Sequence, residues 1–503
     1  MLIALAALPL ACVLFAMVAL HKSALVGSLL GLAAVGALTV GMARTFGLAA
    51  NTSLPLADAA IGTVAEAGFS TLTIIWIIAP ALALYTYQNR SGATERLRDA
   101  LAGLTPHRRL QGLLIAWFFG LFMEGAAGFG TPVALAAPLL HGMGYSPVRA
   151  VTLALLGHAA GVSFGAVGTP TLAQLSLTDL TPANLAGTIA LIQAIIGWVF
   201  LGATAYLASD APFTRRDLTW TLFAGLTFFV PSVVFAWFTG PELPSLAGAL
   251  VGGMIFVTAL RRVAPQDNPT ITELNYRALA ADLAPYVIVV VLILLTRLVT
   301  PLQAALTGFS FDWQLHGLFQ GAFAPAYHPG TLLWLGLGLG AMITNRLGTL
   351  PSAAGHALRL TIKVGVSLAT MLMLSRLMVH TGMIGTLAEA AAETGPAWAM
   401  LSPWVGVLGT FITGSATTSN ILFTELQLSA AQALGLPSGL MAASQGVGSA
   451  IGNVLAPHNI IAGAATVGLV SQEGKIMRTT MTWGAVSALL CGVIVTGISA
   501  WAR

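Results

Sequence analysis

Runs of about twenty apolar residues recur throughout this chain, separated by short stretches that hold Gly, Pro or charge. A hydrocarbon core about 30 Å thick takes about 20 residues per helix, and in lipid every backbone N–H and C=O must be satisfied within its own segment. The pattern predicts an all-α, polytopic membrane protein. Twelve spans are expected near 2–20, 24–42, 70–88, 147–172, 184–208, 218–238, 243–260, 282–300, 329–345, 364–380, 437–470 and 479–501. Composition points the same way, since 57% of the 503 residues are hydrophobic and only 8% are charged. So few charges cannot cover a soluble surface, which excludes soluble enzymes, nucleic-acid binders and disordered chains. The lipid bilayer is therefore an expected partner and nucleic acid is not: the net charge is +4, but the basic residues stand singly or in pairs between apolar runs. They read as topology signals, not as a phosphate-binding stripe. Cys12 and Cys491 lie far apart in apolar runs without metal-ligand spacing, so no disulfide, metal or cofactor is expected. Lys22 follows the first apolar stretch, the reverse of a cleaved signal, and implies a retained first helix.

Two further apolar segments, 112–140 and 401–430, are interrupted midway by Gly-rich polar stretches and read as re-entrant hairpins. If the first loop is cytoplasmic, 17 of the 21 Lys and Arg fall on that side, as cytoplasmic loops require. Both termini then face outward, Glu66 and Glu242 fall in external loops, Arg297 snorkels to the outer surface, and Glu425 is solvated. Seven spans separate the hairpins, so they open to opposite sides. Gly120-Leu-Phe-Met-Glu-Gly125 resembles Gly409-Thr-Phe-Ile-Thr-Gly414 at an offset of 289. A GxxxxP interruption follows each hairpin, as Gly165 to Pro170 and Gly452 to Pro457, at an offset of 287. Two inverted repeats are expected. Residues 1–208 hold hairpin 112–140 and broken helix 147–172, residues 282–503 hold hairpin 401–430 and broken helix 437–470, and a linker, 209–281, supplies two spans.

Unwound backbone at membrane depth must be buried in protein or line an aqueous cavity. Half-helices beginning there present free N–H groups suited to a carboxylate, and paired hairpins with broken helices describe a secondary transporter with a central site. The first hairpin carries Glu124, a candidate proton carrier, with Gly128 and Gly130 for close approach and Thr131 for a hydroxyl. The alternative for Glu124 is a static ion pair with Arg or His. The second hairpin carries Ser415, Thr418, Ser419 and Asn420, more polar groups than helix capping alone needs. Thr169 stands in the first break; His458 and Asn459 stand at the second, His458 as a further coupling group. Arg376, deep within a span, is a candidate to hold the substrate carboxylate or to pair with Glu124. His158 and His380 read as hydrogen-bonding residues between helices. No HExxH, GxSxG or paired-Asp motif suggests an enzyme, no Walker loop is present, and no continuous polar stripe suggests a channel.

Glu124-Gly-Ala-Ala-Gly-Phe-Gly-Thr-Pro-Val-Ala134 and Ser163-Phe-Gly-Ala-Val-Gly-Thr-Pro170 resemble the lactate permease family. The likeness continues through Thr381-Gly-Met383, Ser402-Pro403, Gly406 to Ser415, Thr418-Ser-Asn420 and Gly468-Leu-Val470. This resemblance implies a proton-coupled symporter for lactate and short 2-hydroxymonocarboxylates such as glycolate, in a bacterial-type plasma membrane, with elevator-like movement. The expected partners are thus a small organic anion and a proton; Na⁺ coupling and a homo-oligomer are left open. The chain departs from the better-known lactate permeases, which carry Ser where it has Gly125, Lys where it has Asn453 and Gln where it has His458.

Overall fold

A computed structural model describes residues 1–20, 22–128, 130–263, 276–469 and 472–501. Phe129, Val470 and Arg503, and the stretch 264–275 of the expected linker, lie outside the described residues. Among those described, nine helices are long and apolar enough to cross a membrane. Two more expected spans are the shorter apolar helices Leu2–Met17 and Pro329–Ile343. The expected span 437–470 is divided into Ser438–Leu455 and Pro457–Thr466. The protein is a helical, multi-pass membrane protein.

Local chemistry explains where helices begin. Ser146 accepts from Arg149 N with Pro147 as the first helical residue, and Thr181 accepts from Asn184 N ahead of Pro182. Proline suits that position because its missing N–H is unpaired there in any residue. Thr214 and Asp217 form a reciprocal capping box.

Two spans are much longer than hydropathy predicts. Residues 70–88 belong to Leu56–Arg90 and 364–380 to Leu350–His380. At 1.5 Å per residue each is about 50 Å long, well beyond the hydrocarbon core. Asp58, Glu66, Arg359 and Lys363 mask the extra turns from a hydropathy reading, but the two helices pack along each other and continue the bundle. Glu66 is therefore a helical residue facing a neighbour, not a loop residue.

Among the described residues, a two-stranded antiparallel sheet, Phe311–Leu315 with Phe319–Phe323, interrupts the run of helices. Phe319 is fully buried against Gly62, where a Cβ would overlap its ring. Trp313 meets Phe69 edge-on at 5.7 Å between centroids.

Each of the two expected hairpin segments forms helices on either side of a Gly-rich turn. The first runs down through Arg108–Gly112, a π-helical stretch Leu113–Phe119 and Gly120–Ala126, and returns through Thr131–Gly142. The second is Trp398–Thr413 followed by Ala416–Leu434. Trp117 on the first hairpin is fully buried and meets Phe228 and Phe229 edge-on at 5.5 and 5.6 Å, which fixes that hairpin to helix Arg215–Thr239.

Candidate substrate and coupling site

The two hairpin tips meet the two broken helices. The first broken helix runs Pro147–His158, tightens to a 3₁₀ turn over Ala159–Phe164, and then reverses hand through Ala166 (φ 43°), Val167 (φ 54°) and Gly168 (φ 83°). Left-handed backbone at a β-branched residue is costly and persists only where its surroundings enforce it. The interruption falls inside the GxxxxP motif because three such residues cannot continue a right-handed helix. At the second break the chain turns extended at Ala456 (ψ 122°) before Pro457 starts a new helix.

Contacts cross between the pairs. Gly130, at φ 79°, ends the first tip in a conformation that Gly adopts without penalty. A methyl there would sit 3.9 Å from Asn459 Oδ1 of the second broken helix, and one on Gly128 would sit 3.1 Å from Ala166 N of the first. In the second tip, a methyl on Gly414 would lie 3.2 Å from His458 Nδ1, and Asn420 Nδ2 donates to the Pro170 carbonyl at 3.0 Å. Each tip thus touches both breaks.

The polar groups of the second hairpin divide into two sets. Ser419 and Asn420 are fully buried. Ser419 donates to the Gly406 carbonyl at 3.0 Å, Ser449 Oγ lies 2.7 Å from Asn420 Oδ1 and 2.9 Å from Ser419 Oγ, and Gln445 Nε2 donates to Ser419 Oγ at 3.2 Å. This network binds the hairpin to Ser438–Leu455 and, through Pro170, to the first break; a satisfied buried network of this kind specifies one arrangement. Ser415 and Thr418 are half-buried at the tip, where Ser415 Oγ caps Thr418 N at 3.2 Å. Thr131 donates to the Gly128 carbonyl, and Thr169, fully buried, donates to the Ala166 carbonyl at 2.6 Å. The accessible groups are therefore Gly130, Thr131, Ser415, Thr418, Asn459 and the exposed His458, beside the N-termini of Thr131–Gly142 and Ala416–Leu434.

Glu124 is buried in the first hairpin, packed so tightly on the first broken helix that a Cβ at Gly165 would overlap its Oε1. Its nearest titratable partner is His158, whose Nε2 lies 3.9 Å from Oε2. His158 Nδ1 is 2.6 Å from the Ala154 carbonyl, and the Asn453 side chain also reaches this imidazole. A carbonyl only accepts, so Nδ1 carries the hydrogen and Nε2 of the neutral ring turns a lone pair toward Glu124. Two facing acceptors repel, and one proton on either resolves the contact. Gly125 is also dictated by packing, since a Cβ there would overlap the backbone of Leu246.

Arg376 joins a different group. Its Nη1 lies 2.9 Å from Glu425 Oε1 and 3.4 Å from Glu66 Oε1, and Nη2 donates to the Ser176 carbonyl at 3.1 Å. Neither Glu124 nor a tip residue is among these partners. Glu425 is correspondingly an ion-pair partner and not a solvated acid. Arg297 is not solvated at the outer surface: its side chain is only 9% exposed, 2.7 Å from Glu242 Oε1, with its guanidinium over the Tyr327 ring at 3.7 Å. Both clusters line a cavity of about 1260 Å³ that also includes Asp179, Asp312 and the strand residues 312–314. Sequence reasoning missed Glu66, Gln445 and Ser449. For the last two, the polar pair four residues apart on an apolar helix was the available signal; for Glu66 it was the helical spacing of apolar residues on either side.

Interior helix breaks and hairpin tips carrying the polar groups, enclosed by apolar spans, define a multi-pass membrane protein built to admit a solute among its helices. Residues 2–320 and 339–500 match the profile of the L-lactate permease family, and the chain belongs to that family. The L-lactate permease of Salmonella typhi is 29% identical over 486 residues, covering 87% of this chain and 87% of that protein. The glycolate permease GlcA of Escherichia coli K12 is 28% identical over 474 residues, covering 84% and 83%. Among solved structures, that of Neisseria gonorrhoeae MtrF aligns with a TM-score of 0.49 at 16% identity, over 88% of this chain and 84% of that one.

Proposed function

We propose that the protein is a secondary transporter that moves lactate, glycolate or a related short 2-hydroxymonocarboxylate together with a proton across a bacterial-type plasma membrane. The names of its relatives support the substrate class. The observation that carries the coupling is the Glu124–His158 pair, which needs one proton to relieve its facing acceptors and adjoins the first break. In this reading the proton enters that pair, removing a buried negative charge before the anion arrives. The carboxylate is met by the half-helix N-termini at the two tips, with Thr131, Ser415, Thr418 and Asn459 as hydroxyl and amide partners. Gly128 and Gly130 keep the backbone close, Thr169, Ser419 and Asn420 hold the breaks in register, and His458 is a second titratable group at the tip.

The same reading treats 1–208 and 282–503 as inverted copies joined by 209–281, with both termini outside. The recurrence of hairpin followed by broken helix in each half supports it.

Proteoliposomes with an imposed pH gradient, alkaline inside, test the proposal with labelled lactate and glycolate. Saturable accumulation that collapses with a protonophore is expected. Accumulation driven by a Na⁺ gradient and indifferent to pH, or flux that never saturates, would overturn it.

A further inference from the structure

Glu66, Arg376, His380 and Glu425 bring two carboxylates, one guanidinium and one imidazole together from three helices. Glu66 bridges the two bases: its Oε2 is 2.8 Å from His380 Nε2 and its Oε1 is 3.4 Å from Arg376 Nη1. The same Nη1 is 2.9 Å from Glu425 on the outer arm of the second hairpin, and Nη2 reaches the Ser176 carbonyl, where the first broken helix ends. Arg376 is buried and its Nε has no hydrogen-bond partner. One arginine on Leu350–His380 thus ties the second hairpin and the first broken helix to the long helix Leu56–Arg90.

We propose that these four side chains form a proton-binding site, distinct from Glu124, whose occupancy sets how firmly Arg376 holds the second hairpin's outer arm. Neutral His380 donates Nε2–H to Glu66, and the four groups then sum to one negative charge, shared over a single guanidinium. A proton added at His380 Nδ1 brings the sum to zero, and burial favours that neutral total. The imidazolium then satisfies Glu66, and Arg376 is left to Glu425. When the proton leaves, Glu66 draws on Arg376 and the contact with the hairpin weakens. Among the described residues, no other titratable side chain pairs with this set. Asp58 pairs with His316 instead, Phe319 presents only a ring edge to His380 at 4.9 Å, the first broken helix presents a carbonyl, and Glu389 on the neighbouring helix Met383–Ala392 is exposed. The cavity described above reaches Glu66, Arg376 and Glu425 and gives protons a wet route to the cluster. The idea rests on the proton-coupled reading for its purpose alone; its test reads no transport, so the two can fail separately.

Leu428 lines that cavity one turn beyond Glu425. The test places a reporter, Leu428→Cys, in a chain carrying Cys12→Ser and Cys491→Ser, and measures its modification by an impermeant thiol reagent between about pH 5.5 and 8, where an imidazole titrates. Dividing each rate by that of the same reporter with His380→Gln cancels the thiol's own ionisation. The ratio should be near one at the alkaline end and fall about five-fold toward the acid end, the effect of one modest ion pair. A ratio independent of pH overturns the proposal. Glu66→Gln provides a second arm, because it removes the competitor for Arg376: modification should then be slow at every pH, relative to Glu425→Gln, which removes the held carboxylate. Equal rates in these two variants would overturn the proposal as surely.

Discussion

Glu124 Oε2 and His158 Nε2 face one another at 3.9 Å, and the Ala154 carbonyl, by holding His158 Nδ1–H, leaves the second nitrogen of the neutral ring as an acceptor. The carboxylate lies on the first hairpin and the imidazole at the end of the helical part of the first broken helix, so a shared proton bears on the spacing of two elements of the candidate site. Removing the proton restores repulsion between them in a medium of low dielectric.

Glu124→Gln fixes the neutral form of the acid. Accumulation driven by a pH gradient should be abolished, while exchange of labelled for unlabelled substrate survives because it moves no net proton. Counterflow and gradient-driven uptake in the same proteoliposomes separate the two, and pH-driven uptake at the parental rate would reduce Glu124 to a packing role.

Gly165→Ala should be as damaging as a change at Glu124 itself. The added methyl overlaps Glu124 Oε1, and overpacking of this kind costs about 1–3 kcal/mol. A lower Tm of the purified protein is expected together with loss of transport, and Gly165→Ala combined with Glu124→Ala should recover the Tm while staying inactive. No recovery in the pair would mean that the overlap is not the cause.

The helical, membrane-spanning character and the position of each interruption were legible because they are local. Polar and Gly-rich residues at 124–131 and 414–420 have no business in hydrocarbon unless backbone is exposed there, and a proline six positions into each GxxxxP marks where a helix must restart. The ion pairs were not legible. Glu66 meets Arg376 and His380 from more than three hundred residues away, and only packing of Leu56–Arg90 on Leu350–His380 brings them together. Their charges also concealed the outer turns of both helices from hydropathy. The strands Phe311–Leu315 and Phe319–Phe323 escaped for a similar reason: five-residue strands between longer apolar runs are stabilised by docking Phe319 on Gly62, a contact that no local pattern announces.

Arg297 pairs with the buried Glu242, whose Oε2 has no other partner. Arg297→Gln leaves a carboxylate unpaired and should cost about 3–5 kcal/mol. Glu242→Gln with Arg297→Gln should be clearly more stable than Arg297→Gln alone. Thermal unfolding of the three proteins in detergent checks the order, and parental stability in the single variant would show the pair to be dispensable.

Glu95 and Thr394 are exposed and fall on opposite sides of the membrane if the Lys- and Arg-rich loops are cytoplasmic. In a background without Cys12 and Cys491, Thr394→Cys should react with an impermeant thiol reagent in intact cells, and Glu95→Cys only after the membrane is opened. Equal reaction of both from outside would sink the inverted-repeat topology.

The cavity on the outer side in this topology contains Glu66, Asp179, Glu242, Asp312 and Glu425 against Arg297 and Arg376, and both arginines are already engaged by glutamates. An anion approaching the site therefore meets a mouth of negative charge. That field concentrates protons and opposes anions, and it opposes a dianion about twice as strongly as a monoanion. On the proposed transport reading, selection for monocarboxylates would thus begin before the site and be screened by salt: the Debye length falls from about 30 Å at 0.01 M to about 8 Å at 0.15 M. The KM for lactate should accordingly fall as ionic strength is raised with an inert salt, with kcat unchanged. Asp179→Asn and Asp312→Asn, both exposed and outside the ion pairs, should together lower KM at low salt and flatten its salt dependence. Uptake of succinate as efficient as that of lactate at low salt, or a KM that rises with ionic strength, would show that this mouth does not lie on the substrate's path.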